Sequence, residues 1–398
     1  MERIRPAVSY VLVTAASALG LWAAFSLPHR APAPPQRNVV IAKPQPVVEL
    51  QKPQQRPQVD VVFVLDTTGS MSSLLSGAKK KIWELARFIA QGQPAPDLRV
   101  GLVAYRDVGD EYVTKFFDLT DDIDGVYQNL TSFVAGGGGD TPEHVAKALH
   151  EAVYRSNWSN GKNALKLVYL VGDAPPHTDY QDGFDYRAIA KEAQRRGIRI
   201  NTVRCGSDED TRTNFTEIAS LGGGDFSTID QSGGMNDVRT PYDEELAKLN
   251  RALTDTAIPW GDADRRSSIR KKAETNLAAP AETQAARAGF FGLAATRGRA
   301  AAVSEGDLLD DVANNKVQLE RVAPSALPEP MQAMNAEEKS RYIEGKRKAR
   351  EEVLNQINSV AAKRDAYIKS SAAPAKSGFD GRVRETMKKQ AADVGLMY

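Results

Sequence analysis

Carboxylate and hydroxyl side chains occur at the ends of two apolar runs, which are typical of buried strands, and after a glycine-rich run typical of a loop. Asp66 ends the run VDVVFVLD, and Thr68 and Ser70 come shortly after it. Thr141 follows the run GGGGD, and Asp173 ends the run LKLVYLVGD. The carboxyl ends of parallel strands lie at one edge of a sheet, where the amino termini of the following helices add positive potential. Hard oxygen ligands brought together there predict a site for Mg²⁺, with Mn²⁺ and Ca²⁺ as alternatives.

Three of these residues have an alternative role in local structure. Thr141 before Pro142 is a favourable helix start, because threonine is a good N-cap and proline suits the first helical position. Ser70 could likewise cap the helix that follows it, and Asp173 before Ala-Pro-Pro could hold a turn. Taken one at a time, these roles are the better interpretation. Their occurrence together at the ends of consecutive predicted strands favours a shared metal site.

Further residues are candidates for supporting this site or for contacting a partner. Asp107 and Asp140 could lie behind the metal ligands, or they could be solvated loop residues. The loops YRDVGD and DAPPHTDYQDGFDY are candidates for partner contact, since binding residues are often carried on loops. The residues selected in these loops are Tyr105, Arg106, Asp107, His177 and Tyr180.

Several other chemistries are disfavoured by the sequence. The run Gly136–Gly139 is followed by Asp140 and Thr141 instead of the Gly-Lys-Ser/Thr that a phosphate-binding loop requires. The single cysteine, Cys205, excludes an intrachain disulfide, and the scattered histidines give no Cys/His zinc site. The net charge is only +1, so we expect no nucleic-acid partner, and nothing indicates a small-molecule substrate.

The elements that would position these residues alternate along the chain from residue 58 to residue 235. Apolar runs typical of strands buried on both faces alternate with helical stretches at Lys79–Gln91, Glu143–Arg155 and Tyr186–Arg196. This alternation predicts an α/β fold with a doubly wound, mostly parallel sheet. The run TKFFDLT follows RVGLVAY after a short loop, so we expect it to form an antiparallel edge strand.

The segment Asp66-Thr67-Thr68-Gly69-Ser70 resembles the D-x-[ST]-x-S motif of von Willebrand factor type A (vWA) domains, which have a Rossmann-like fold. The resemblance covers about residues 59 to 235, and YRDVGD with GGGGDTPEH is similar to bacterial and alpha-kinase-associated members. It implies a complete metal-ion-dependent adhesion site. Thr68, Ser70 and Thr141 would bind the metal directly, and Asp66 and Asp173 would act largely through water. An acidic side chain of a protein partner would fill the remaining coordination position.

The amino-terminal residues predict a membrane anchor. Residues 6–27 carry no charge and are long enough to cross a bilayer as a transmembrane helix or signal anchor, although a cleaved signal peptide is an alternative. Arg3 and Arg5 would keep residues 1–5 as a cytoplasmic tip, which predicts a single-pass protein of the inner (plasma) membrane with its bulk periplasmic or extracellular. Residues 28–57 form a proline-rich linker that could extend up to roughly 90 Å.

The remainder of the chain is rich in alanine and charged residues. We expect residues 236–330 to be mixed and partly disordered, with most of residues 265–299 lacking structure, and residues 331–398 to be helical. Asn335 and Glu338 could cap a long helix whose apolar seam includes Ile357 and Val360. That seam either packs on the rest of the protein or forms a coiled coil with a partner.

Together these patterns favour a membrane-tethered binding protein over an enzyme. Metal-dependent capture of an acidic side chain, for adhesion or for complex assembly, accounts for the strongest features. The alternative is a magnesium-dependent phosphatase-like hydrolase with Asp66 as nucleophile. Thr68 stands where such an enzyme would carry its acid catalyst, which disfavours this alternative.

Overall fold

The computed structural model describes residues 56–139, 141–161, 163–235, 238–299, 301–371 and 378–398. The predicted membrane anchor at residues 6–27 and the predicted linker up to residue 55 lie outside these ranges. Within the described ranges, no helix combines the length and the apolar character needed to cross a membrane.

A six-stranded sheet forms the centre of the described protein. Its strand order is β3-β2-β1-β4-β5-β6. All neighbouring strands are parallel except β3, which pairs antiparallel with β2 at one edge. The strands are β1 (Gln58–Asp66), β2 (Asp97–Tyr105), β3 (Thr114–Thr120), β4 (Leu165–Gly172), β5 (Ile198–Cys205) and β6 (Gly223–Ile229). The prediction of a mostly parallel sheet with TKFFDLT as its antiparallel edge strand is confirmed.

Helices cover both faces of the sheet. Strand β1 is buried along almost its whole length, and its alternate residues belong to two separate apolar cores: Val61 and Phe63 to one, Val62 and Val64 to the other. Continuous apolar strands of this kind are explained by burial on both faces. The helices that follow the strands are α1 (Ser72–Ala90), α2 (Ile123–Ser132), α3 (Val145–His150), α4 (Tyr186–Arg195) and α5 (Glu209–Leu221).

The chain continues after β6 into further helices. They are α6 (Asp243–Thr254), α7 (Ala263–Leu277), α8 (Ala281–Thr296), α9 (Leu308–Ala313), α10 (Glu329–Gln332), α11 (Ala336–Ser371) and α12 (Phe379–Ala391). Of these, α6, α8, α11 and α12 share an apolar core with α1, whereas α9 and α10 contribute to a separate small cluster. Residues 265–299, where we expect mostly disorder, instead lie largely in α7 and α8. Alanines of α8, including Ala285 and Ala288, are buried against neighbouring helices, and small side chains permit that close packing.

The long helix α11 begins with the predicted capping interaction. The backbone N–H of Asn335 donates to Glu338 at 2.8 Å, and the backbone N–H of Glu338 donates to Asn335 Oδ1 at 3.0 Å. Leu354, Ile357 and Val360 are buried against the other helices, so the apolar seam packs within the chain.

Helix α12 brings the end of the chain back to the sheet. Phe379 packs edge-on against Phe63 of β1, with ring centroids 6.0 Å apart. The Tyr169 hydroxyl of β4 donates to the backbone oxygen of Val383 at 3.3 Å. The last helix of the chain is therefore part of the cover over one face of the sheet.

Candidate metal centre

The loop between β1 and α1 turns its oxygen atoms inward at the carboxyl edge of the sheet. Asp66 is fully buried, and its Oδ1 accepts hydrogen bonds from the backbone N–H of Thr68 at 2.8 Å and from the Thr68 hydroxyl at 2.6 Å. The hydroxyls of Thr68 and Ser70 are 3.3 Å apart. Asp66 Oδ2 is buried and has no hydrogen-bond partner within the described residues. A buried carboxylate oxygen without a donor is costly unless a cation or a proton satisfies it.

The glycine run after α2 lies directly against this loop. Gly136 donates its backbone N–H to the Thr67 oxygen at 3.1 Å, and Gly69 donates to the Gly137 oxygen at 3.4 Å. Gly138 has a positive φ of 77°, and a Cβ added to it would stand 3.0 Å from Cβ of Thr68. Only glycine allows both this conformation and this close approach without strain. The run GGGG therefore positions a second loop beside the first.

Thr141 follows this glycine run and is exposed. Helix α3 starts only at Val145, so Thr141 does not cap it, and the helix lacks a side-chain cap. Thr68 precedes the short helical turn at Ser70, which likewise has no side-chain cap bond. The structural roles that compete with metal binding for Ser70 and Thr141 are therefore not used. Asp140 lies outside the described residues.

Asp173 approaches from the end of β4. Its backbone oxygen accepts from the Thr211 hydroxyl at 3.1 Å, and its side chain accepts from Nε2 of Gln231 at 2.5 Å. Burial, followed by repulsion from Asp173, raises the pKa of Asp66 to about 7. The carboxylates at the ends of β1 and β4 are thus close enough for their charges to interact.

Glu143 is a site residue that the sequence reasoning missed. It is only 2% exposed, and its Oε2 has no hydrogen-bond partner among the described residues. Burial, followed by the charges of Asp66 and Asp107, raises the pKa of Glu143 to about 9. Its position two residues after Thr141 was the available signal, but one acidic residue at a predicted helix start has an ordinary explanation in the helix dipole.

The residues selected for partner contact fall into two groups. Tyr105 is fully buried at the end of β2, where its hydroxyl donates to the Val171 oxygen at 3.3 Å, so its prediction as a contact residue is wrong. Arg106 is 4% exposed and donates to the backbone oxygens of Thr67 and Val134 at 3.1 and 2.6 Å. It ties two site loops together, and the prediction that it contacts a partner is also wrong. Residues at the end of a strand can be buried and structural, as these two are, so their position alone does not show that they are exposed to a partner.

Asp107, His177 and Tyr180 form a linked group beside the site. The Tyr180 hydroxyl donates to Asp107 Oδ2 at 2.6 Å, and the His177 ring stacks on the Tyr180 ring with centroids 4.1 Å apart. Asp107 Oδ1 is buried and has no hydrogen-bond partner in the described part of the chain. Asp107 thus lies behind Glu143 and connects the loop after β2 to the loop after β4.

The donor set fits a hard divalent cation. Within the described residues, no group of three or more His, Cys, Asp or Glu side chains is arranged to hold a metal by itself. A cation here would therefore need the hydroxyls of Thr68 and Ser70 in addition to the carboxylates, and oxygen donors of this kind suit Mg²⁺, Mn²⁺ or Ca²⁺. The buried Asp66 Oδ2 without a partner is the observation that such a cation would account for.

Part of the chain is similar to known proteins. A family model for the von Willebrand factor type A domain matches residues 60–240. The von Willebrand factor A domain-containing protein 7 of Rattus norvegicus is 31% identical over 144 residues, covering 36% of this chain and 14% of that protein. The alpha-protein kinase vwkA of Dictyostelium discoideum is 25% identical over 158 residues, covering 36% of this chain and 23% of the kinase. The chain thus spans less than a quarter of the length of these relatives.

Solved structures with a similar arrangement include the SpRpn10 VWA domain, at 11% identity over 44% of this chain and 89% of that one, with a TM-score of 0.34. Another is proximal thread matrix protein 1 from the mussel byssus with zinc occupied MIDAS motif, at 17% identity over 44% of this chain and 42% of that one, with a TM-score of 0.32. The family match spans all of the six-stranded sheet except the first two residues of β1, together with the loops that carry Asp66, Thr141 and Asp173. Residues 60–240 therefore form a von Willebrand factor type A domain.

Proposed function

We propose that this protein captures a protein partner by binding an acidic side chain of that partner to a divalent cation at the edge of the sheet. The observation that carries the proposal is the buried Asp66 carboxylate, whose Oδ2 lacks a hydrogen-bond partner within the described residues and which lies close enough to Asp173 for their charges to repel. A cation would neutralise these two carboxylates. Mg²⁺ commonly keeps some coordination positions for water or for a ligand, which leaves room for the partner's carboxylate.

Thr68, Ser70 and Thr141 would supply hydroxyl oxygens to the cation, and Asp66 and Asp173 would balance its charge. Hydroxyl ligands are neutral, so they leave more of the positive charge of the metal available to attract an incoming carboxylate. Mg²⁺ is the proposed ion, since the oxygen donors include no soft ligand.

We propose a binding role instead of a catalytic one. Asp66 is fully buried, and its Oδ1 already accepts two hydrogen bonds from Thr68, so this carboxylate is poorly placed to attack a substrate. An assay of the full chain with p-nitrophenyl phosphate and Mg²⁺ tests the alternative. Turnover that disappears in Asp66→Asn would favour a hydrolase.

We propose further that residues 6–27 anchor the protein in the inner (plasma) membrane and that residues 28–57 hold the vWA domain away from it on the outer side. The support is the uncharged apolar run and the arginines that precede it. Carbonate extraction of membranes together with protease treatment of intact spheroplasts tests this. Extraction into the soluble fraction, or protection from protease, would contradict it.

The central experiment measures cation binding and partner capture on the same purified full-length chain. Isothermal titration calorimetry with Mg²⁺ should give binding to the wild type and none to Asp66→Asn. Affinity capture in Mg²⁺ and in chelator should then yield partners that elute when the metal is removed. The control is Asp121→Asn, which changes an exposed aspartate in the loop before α2. Capture that is unchanged by chelator would refute metal-dependent binding.

A further inference from the structure

The loops around the candidate metal centre carry an acidic surface. We call this surface the rim and define it as residues 106–113, 173–185, 206–210 and 230–235. Arg106 is the only lysine or arginine within these ranges, and it is buried with its guanidinium on backbone oxygens. The exposed rim acids used below are Glu111, Asp179, Asp182 and Asp230.

Part of this acidity serves the helices, and that part carries no inference. Asp185 and Asp208 accept backbone N–H bonds at the starts of α4 and α5, which is ordinary N-capping. The four acids named above cap no helix among the described elements. Three of them have ion-pair partners: Glu111 pairs with Arg106 and Lys115, Asp179 with His177, and Asp182 with His144. The rim nevertheless carries eleven acidic residues against one arginine, so carboxylates remain in excess there.

The rim is acidic although the chain as a whole is nearly neutral. At the opposite edge, exposed positive side chains such as Arg56, Arg195 and Arg196 lie beside the strand starts. The full chain has a net charge of only +1, so the rim is not simply the surface of an acidic protein. Exposed cations also border the rim at Lys115, Arg187 and Arg212, so a local excess of carboxylates, and not a complete separation of charge, would steer a charged partner.

Buried acids beneath the rim point to a positive ligand as well. Asp107 and Glu143 are 4% and 2% exposed, and each has a carboxylate oxygen without a hydrogen-bond partner in the described residues. Glu143 lies within electrostatic range of Asp66 and Asp173. Burial raises the pKa of Glu143 to about 9, so this group is neutral near pH 7 and adds no charge. A divalent cation balances two carboxylates, Asp66 and Asp173, and the buried Asp107 carboxylate then remains beneath the rim.

Two exposed aliphatic side chains accompany this charge. Val108 is 58% exposed in the loop after β2, and Val134 is 70% exposed in the loop before the glycine run. Arg106 precedes Val108 by two residues and holds the Val134 backbone oxygen, so both valines flank the site. Exposed aliphatic side chains beside a charged surface are typical of contacts with proteins.

We propose that the rim selects a partner with a basic surface. On that partner, the carboxylate that binds the cation would be surrounded by lysine or arginine side chains. The partner's carboxylate is part of the proposed function, on which this inference rests. The basic residues around that carboxylate are inferred from the rim. An acidic neighbourhood on the partner would be repelled by the rim within the Debye length of about 8 Å at physiological salt. Basic neighbours are attracted instead, which increases the association rate and excludes acidic competitors.

An array of immobilised synthetic peptides tests this with the purified full-length chain. Each peptide carries one central residue, Asp or Asn, flanked by Lys, by Gln or by Glu, and binding is measured in Mg²⁺ and in chelator. We expect the peptide with central Asp and Lys flanks to retain at least about tenfold more protein than its Gln-flanked equivalent. The Glu-flanked peptide should retain least.

A rim variant identifies the surface responsible. Glu111→Gln, Asp179→Asn, Asp182→Asn and Asp230→Asn together should reduce the preference for Lys flanks to less than about threefold. The matched control removes four exposed glutamates outside the rim, through Glu244→Gln, Glu245→Gln, Glu320→Gln and Glu337→Gln. It makes the same change in net charge and should keep the preference.

The outcomes separate the two proposals. Equal binding to Lys-flanked and Gln-flanked peptides, including no binding to either, overturns the rim inference. Loss of the preference in the control variant overturns it too, because the attraction would then come from net charge alone. A preference that depends on the rim but ignores chelator and the central Asp supports the rim inference and refutes metal-dependent capture.

Discussion

Asp66 at the end of β1 and Asp173 just after β4 repel each other, and burial followed by this repulsion raises the pKa of Asp66 to about 7. Thr68 donates two hydrogen bonds to Oδ1 of Asp66, but Oδ2 receives none from the described residues. The folded metal-free protein therefore holds a carboxyl group that favours a proton near neutral pH. A bound cation would replace that proton. The pH dependence of stability and the effect of Mg²⁺ on stability should both reflect this exchange.

The stability of the metal-free protein should decrease between about pH 4 and pH 7. The ordinary pKa of Asp66 is 3.8 and its folded value is about 7, so the folded state binds this proton more tightly than the unfolded state does. The resulting contribution to the free energy of unfolding is complete below pH 4 and lost above pH 7, and it amounts to at most about 4 kcal/mol. Urea unfolding in chelator at pH 4.5 and pH 7.5 measures the total decrease, and the difference between the wild type and Asp66→Asn gives the part due to Asp66.

Asp66→Asn removes the titrating group and should reduce this decrease. The pH dependence that remains in this variant comes from Glu143, whose pKa is raised from 4.5 to about 9, so its own loss of stability extends to higher pH. An unchanged slope in Asp66→Asn would show that the buried carboxyl is not the source.

Asp66→Asn should also abolish stabilisation by Mg²⁺. A ligand that binds only the folded state increases the free energy of unfolding, by about 2.7 kcal/mol at a ligand concentration 100 times the dissociation constant. The melting temperature of the wild type should therefore rise when Mg²⁺ is added. Asparagine keeps an oxygen for the Thr68 donors and removes the charge that the cation needs, so the metal-free variant should stay folded. Differential scanning calorimetry with and without Mg²⁺ measures both effects. A variant that Mg²⁺ still stabilises as strongly would place the cation elsewhere.

Ser70→Ala should weaken Mg²⁺ binding by roughly tenfold or more, with little change in stability, because Ser70 is exposed and its hydroxyl lies 3.3 Å from that of Thr68. Ser73→Ala is the matched control, since Ser73 is also an exposed serine and lies one turn further along, in α1. Calorimetric titration with Mg²⁺ distinguishes the two. Equal affinities for the two variants would exclude the Ser70 hydroxyl as a ligand.

The sequence was sufficient to predict the sheet and the edge at which the candidate ligands gather. Buried strands such as β1 are read directly from runs of apolar residues, and parallel strands place their carboxyl ends together regardless of details. Glu143 could not be selected in this way. Its burial depends on the loop after β4, where the Glu143 backbone N–H donates to the Pro175 oxygen at 2.9 Å, and that contact spans residues distant in sequence.

Residues 265–299 illustrate a second limit. Their alanine-rich, charged composition indicates weak apolar patterning, yet Arg287 is 1% exposed because its charge is matched by Asp124 of α2. A buried ion pair between residues so far apart leaves no periodic signal in the sequence. Helical structure there depends on tertiary contacts that local composition does not report.

Gly138→Ala should displace the second site loop and weaken Mg²⁺ binding. The added Cβ would stand 3.0 Å from Cβ of Thr68, and the positive φ of 77° costs a non-glycine residue about 1 kcal/mol or more. Gly139→Ala is the control, because a Cβ there would meet nothing within 4 Å. Titration with Mg²⁺ should therefore give a lower affinity for Gly138→Ala than for Gly139→Ala. Equal losses in both would mean that general loop flexibility, and not contact with Thr68, determines the affinity.

Arg287→Ala should destabilise the whole protein by about 3 to 5 kcal/mol, because it leaves a buried carboxylate without its cation. The Arg287 guanidinium donates to Asp124 Oδ1 at 2.7 Å, to Asn250 Oδ1 at 2.7 Å and to the Ala302 oxygen at 3.0 Å. These contacts join α2 of the vWA domain to helices that follow it. Chemical unfolding should therefore show one transition at lower denaturant concentration.

The comparison for this substitution is Arg347→Ala, which removes an exposed arginine of α11 that pairs with Glu344 and Glu351. Exposed pairs of this kind contribute about 0 to 1 kcal/mol, so this variant should unfold near the wild-type midpoint. A small effect of Arg287→Ala, or a separate early transition of the helices with the sheet intact, would show that the carboxyl-terminal helices fold independently of the vWA domain. A single unfolding transition of Arg287→Ala at lower denaturant concentration would instead mean that the sheet and those helices unfold together. Any cation at the sheet edge would then be bound by a cooperative unit that includes the helices.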